Sequence, residues 1–109
     1  MGRDIRPEGN PMVFGVIYKP RPGGDEKRQE RALQVFTEWT PPAEIRFRAH
    51  YFRADGNGGM AIVETDVATA LGAATAPFSP FFEYEVVPLM EVDEAIPVLK
   101  DAMEWRERR

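Results

Sequence analysis

Apolar residues along the chain follow two rhythms, one of two residues and one of about three and a half. The run MVFGVIYK at 12–19 is rich in β-branched and aromatic residues and is bounded by Pro11, Pro20 and Pro22, which predicts a central strand. After Gly23 and Gly24 the rhythm turns helical: Ala32, Val35, Phe36 and Trp39 recur at i, i+3, i+4 and i+7. Asp25 is placed to cap that helix, and Pro41 and Pro42 end it. Residues 45–53 alternate, with Ile45, Phe47, Ala49 and Tyr51 on one face and Arg46, Arg48 and His50 on the other. The segment DGNGG at 55–59 tolerates positive φ and predicts a hairpin into a third strand at 60–64.

Asp66 is placed to cap a short helix carrying Val67, Ala70, Leu71 and Ala74, which Pro77 stops. Residues 73–82, with Pro77 and Pro80 around Phe78 and Ser79, read as a rigid connector or as a lid over a pocket. A fourth strand follows at 81–89. Asp93 is placed to cap a last helix with Val98, Leu99, Ala102 and Met103 on one face and Pro97 in its first turn.

The order is βαββαβ plus a C-terminal helix. Short, right-handed connections fold it into an α+β, ferredoxin-like domain: a four-stranded antiparallel sheet, helices on one face, strands two and four at the edges. One domain at 12–109 follows an N-terminal tail at 1–11, where little besides Ile5 offsets the cost of ordering backbone. The first strand is apolar on both faces, so the face without helices also needs cover. A second copy packed face to face supplies it and makes a homodimeric α/β barrel. In that arrangement Arg46, Arg48 and His50 on strand two approach Glu83 and Glu85 on strand four near the interface, and Trp105 is placed to dock on the partner.

Several segments carry a family resemblance. The strand MVFGVIYKP, the hairpin RADGNGG at 53–59, the following AIVE at 61–64 and the strand FEYEVVPL at 82–89 together resemble the family called domain of unknown function 3303, over about 12–103. The resemblance implies a ferredoxin-like, dimeric barrel fold. It assigns no chemistry.

Length and charge narrow the partners. The 109 residues suffice for one core that buries roughly 65% of the unfolded chain's surface. A net charge of -4 opposes general binding to a phosphate backbone, so nucleic acid is not an expected partner. There is no cysteine, which excludes disulfides and thiolate chemistry. No apolar run reaches bilayer length, and the start lacks a signal-peptide centre, so the reading is cytoplasmic with no membrane partner.

Candidate chemistry is sparse. His50 is the only histidine and the first candidate for acid-base work; Arg46 and Arg48 beside it would lower its pKa and leave a neutral imidazole able to take a proton from an acidic carbon or phenol. The plainer reading makes His50 a polar interface residue. Arg46 and Arg48 are candidate holders of a carboxylate or enolate, or else partners of Glu83 and Glu85. Glu64 is a candidate base if desolvated and otherwise a solvated strand end. Tyr18, Tyr51, Phe82 and Tyr84, with Trp39 and Phe47, either line an apolar pocket that binds substrate or fill the core.

Ser79 has no histidine nearby, and Gly56, Gly58 and Gly59 lie between two strands, which is not the context of a phosphate loop. A lone histidine cannot build a multi-histidine metal site, although it could serve as one axial haem ligand; no cofactor is expected. The chain therefore reads as a dimeric barrel protein for a small apolar or aromatic ligand. Cofactor-independent monooxygenases, cyclases and isomerases share such barrels, which is analogy of fold and leaves enzyme status open. The alternative is an interaction or structural protein acting through its dimer surface.

Overall fold

The computed structural model describes residues 11–109, so all of the expected tail except Pro11 lies outside the described residues. Strand β1 (Met12–Pro20) is followed by helix α1 (Glu26–Glu38), strands β2 (Arg46–Phe52) and β3 (Gly59–Thr65), and helix α2 (Ala68–Thr75). A 3-10 turn (Ala76–Phe78), strand β4 (Phe82–Leu89) and helix α3 (Val92–Glu107) complete the chain. The sheet order is β2-β3-β1-β4 and every pairing is antiparallel, as the βαββαβ order requires. The two most apolar strands, β1 and β3, are central. Pro88 sits in edge strand β4, where a missing N–H costs no ladder bond on the outer side.

The core forms where β1 and β3 meet α2. Val16, Ile45, Ala61, Val63 and Ala70 are its buried members, and Val63 is only 2% exposed. The small residues of α2 allow the helix to lie close to the sheet. Asp25 caps α1 by accepting from the Arg28 N–H at 2.9 Å. Two other expected caps lie elsewhere. Helix α2 starts at Ala68 with Val67 at the cap position, and Val67 N–H donates to Thr65 Oγ1 at 3.1 Å. Helix α3 is capped by Glu91 in a reciprocal box with Glu94, whose side chain accepts from the Glu91 N–H at 3.2 Å. Starting at Val92, α3 holds Pro97 inside the helix and not in its first turn; the bond that residue would donate to the Asp93 carbonyl is lost.

A β-bulge in β2 sets the plan of the site. Phe47 pairs with Val63 and Ala49 pairs with Ile62, leaving Arg48 as an extra residue. The bulge reverses the expected alternation. His50, opposite Ala61, and Phe52, opposite Gly59, join Phe47 on the helix side, whereas Ala49 and Tyr51 join Arg46 and Arg48 on the open side.

A candidate ligand cavity on the helix side of the sheet

Tyr18 lies opposite both Gly59 and Tyr84 in the sheet register. Because Gly59 has no side chain, the phenol crosses directly over it toward β2; a Cβ there would come within 2.6 Å of the hydroxyl. That path brings Tyr18 Oη to 2.7 Å from His50 Nε2. The central strand, the glycine and the bulge together make this contact.

Both groups are neutral at pH 7. Burial raises the Tyr18 phenol to about 12 and lowers the His50 imidazole below its ordinary 6.5, because each charged form is penalised away from water. Burial also raises the Tyr84 phenol, and the neighbouring Tyr18 adds to the effect. The direction for His50 matches the sequence expectation, but the cause does not: desolvation acts, and the arginines point to the other face. In one histidine tautomer the phenol donates to Nε2; in the other Nε2–H donates to the phenol oxygen. A hydroxyl or carbonyl entering beside the pair would find a donor or an acceptor.

Around this pair lies a cavity of about 1030 Å³, open to solvent, between the sheet and helix α1. Aromatic rings make most of its wall. Tyr18 meets Phe82 at 5.4 Å between centroids, His50 stacks on Phe47 at 5.6 Å, and from the helix side Phe36 approaches Phe52 at 5.4 Å while Trp39 meets Phe78 at 5.2 Å. Phe78, 5% exposed, anchors the segment between α2 and β4 and is the buried floor of this cluster. Helix α1 has no buried residue, so its apolar stripe faces the cavity without filling it.

Of the residues singled out from sequence, Tyr18, His50, Phe82 and Tyr84 line the cavity, and Trp39 and Phe47 line it with them. Arg46, Arg48, Tyr51 and Glu64 do not. Arg48 lies across the sheet from the cavity, ion-paired with Glu64 and, at 2.9 Å, with Glu91 at the start of α3; both bonds raise its pKa. Glu64 is therefore a partner of Arg48, Arg46 is opposite it in register, and Tyr51 is 69% exposed on that open face. Sequence reasoning missed Phe36, Phe52 and Phe78 as wall residues, and Arg21 and Arg28 at the rim. One signal was present: Arg28, Ala32 and Phe36 are spaced by four and share a helix face.

Over residues 12–103 the sequence matches the profile described as Domain of unknown function (DUF3303). The chain belongs to the DUF3303 family. The match runs from the first residue of β1 into α3, so the bulge, the glycine hairpin and the cavity all lie inside the DUF3303 region. No curated protein and no solved structure matches the chain. Among the described residues of this DUF3303 domain, no helix is long and apolar enough to cross a membrane, and no three His, Cys, Asp or Glu side chains are grouped as metal ligands.

Proposed function

We propose that this DUF3303 protein binds a small apolar or aromatic molecule with an oxygen substituent in the helix-side cavity, and does so as a homodimeric α/β barrel. The observation that carries the reading is the Tyr18–His50 contact at 2.7 Å inside an aromatic-walled cavity of about 1030 Å³. A largely apolar pocket with few convergent polar groups is the usual form of a small-molecule site. The neutral pair also suits proton transfer to or from a phenol or enol, the kind of step used by cofactor-independent monooxygenases, cyclases and isomerases. A filled core would have favoured a protein acting only through its surface; the open cavity favours binding.

The test is a thermal-shift screen with 2-naphthol, naphthalene, quinones and aromatic acids. At a hundredfold excess over Kd a ligand that binds only the folded chain stabilises it by about 2.7 kcal/mol. We expect 2-naphthol to raise Tm and Tyr18→Phe to weaken its binding about fivefold, since one hydrogen bond is worth about 1 kcal/mol. Naphthalene, which lacks the hydroxyl, should respond equally in both proteins. No shift with any of these classes would reject the reading.

Dimerisation is supported by α3 and the open sheet face. Val92, Ile96, Leu99 and Met103 form a stripe at helical spacing, and all four are exposed in a single chain. The open sheet face presents Ile17, Met60 and Leu89, also exposed, with Arg46 on one edge strand and Glu85 on the other. A twofold axis would set the basic edge of one copy against the acidic edge of the next. Light scattering should give twice the mass of one chain, and Leu99→Lys should give one chain mass while remaining folded. A monomeric wild-type protein would contradict this part of the reading.

A further inference from the structure

The rim of the cavity has a charge opposite to that of the whole protein. The chain carries a net charge of -4, yet the residues lining the rim include Arg21 and Arg28. The Arg21 guanidinium is held in place by donating from Nε to the Ser79 carbonyl at 2.7 Å, and Arg28 is partly buried, with one long contact of 3.5 Å to the Pro22 carbonyl. Neither has a carboxylate within ion-pair distance among the described residues, whose ion pairs are Lys19 with Glu83, Arg48 with Glu64 and Glu91, and Arg53 with Asp55. The one acidic side chain on the rim, Asp55, is already occupied. It accepts from Arg53 Nε at 3.0 Å and from the Asn57 N–H at 3.0 Å, and these bonds hold its carboxyl below the usual range.

Resting on the cavity reading above, we infer that the site selects anionic aromatic molecules, a planar ring system bearing a carboxylate, with Arg28 and Arg21 receiving the carboxylate and the aromatic walls receiving the rings. A guanidinium that lines a cavity with no carboxylate within ion-pair distance is a candidate carboxylate receptor, because its planar fork forms charge-assisted bonds that an ester cannot match. Partial burial of Arg28 reduces screening by solvent and strengthens the preference. The sequence expectation of an arginine-held anion thus moves from Arg46 and Arg48, on the far side of the sheet, to Arg21 and Arg28.

Calorimetric titration of the full chain with 2-naphthoate and with methyl 2-naphthoate tests this. The carboxylate should bind at least about tenfold more tightly than the ester at low salt, one ion-supported contact being a factor of that order. Arg28→Gln should cut the advantage to about threefold or less, and added salt should reduce it in the wild type. Equal binding of the two probes, or a preference unchanged in Arg28→Gln, overturns the anionic selection while leaving the cavity reading intact. Failure of both probes to bind overturns the two together.

Discussion

Gly58→Ala should be among the most damaging single changes in the domain, lowering stability by about 3 kcal/mol or more and Tm by more than about 10 °C. Gly58 ends the hairpin at φ +95, and a Cβ there would lie 1.9 Å from the carbonyl oxygen of Tyr18 and 2.7 Å from Lys19 Cα. Those are backbone atoms of the central strand, which cannot move aside without breaking ladder bonds. Gly56 is the control. It has a similar φ of +77 with nothing within 4 Å of the built Cβ, so Gly56→Ala carries only the conformational penalty, about 1 kcal/mol. Denaturant unfolding of both variants separates the contributions: similar losses would show that strand β1 does not press against the hairpin as described.

Phe78→Ala should cost about 3 kcal/mol, measured by urea unfolding. Phe78 is 5% exposed and joins Trp39 and Phe36 of α1 to the segment leading into β4. Truncation removes the main apolar contact holding α1 near the sheet, since that helix buries no residue of its own. The loss stays near the low end of the range for buried phenylalanine because the site already adjoins a cavity, where one wall has few partners to lose. Ligand binding should suffer as well: 2-naphthol should bind Phe78→Ala more weakly in proportion to the lost ring contact, whereas Glu30→Ala, at an exposed α1 position outside the cavity lining, should alter neither property. A Phe78→Ala protein as stable as the wild type would remove this ring from the account.

The fold was legible from periodicity because β1, α1 and the glycine hairpin each obey a single rule. Three local features were not. A bulge at Arg48 inserts one residue without disturbing the apparent alternation of the first half of β2, so His50 and Phe52 seemed to lie on opposite faces from those they occupy. The adjacent pair Tyr51 and Phe52 was the available clue, since only one of two neighbouring aromatics can face the helices. The caps of α2 and α3 deceived for a different reason. Aspartate is the preferred cap in isolation, but α2 starts one residue later than Asp66 would set it, after a turn in which the Thr65 hydroxyl accepts from the Val67 N–H, and the Glu91–Glu94 box starts α3 ahead of Asp93.

The site was half legible. Tyr18, Phe82 and Tyr84 could be placed on one face from strand parity alone. The Tyr18–His50 contact could not, because it depends on the bulge and on the absence of a side chain at Gly59, and both are properties of paired strands. The rim arginines were hidden by a similar dependence. Arg21 lies in a connection whose path is set by the Phe81 carbonyl accepting from its N–H at 2.9 Å, a contact sixty residues apart in sequence.

His50 is the only histidine, so its imidazole gives one resolvable signal in a long-range nitrogen–proton NMR spectrum of the tag-free, labelled protein. Recorded across pH and then during addition of 2-naphthol, that signal tests the cavity and its polar pair at once. A single neutral tautomer at pH 7, a pKa below 6.5, and a saturable shift as ligand fills the cavity are expected. A signal that titrates at 6.5 or above and does not move with any aromatic ligand would contradict that expectation.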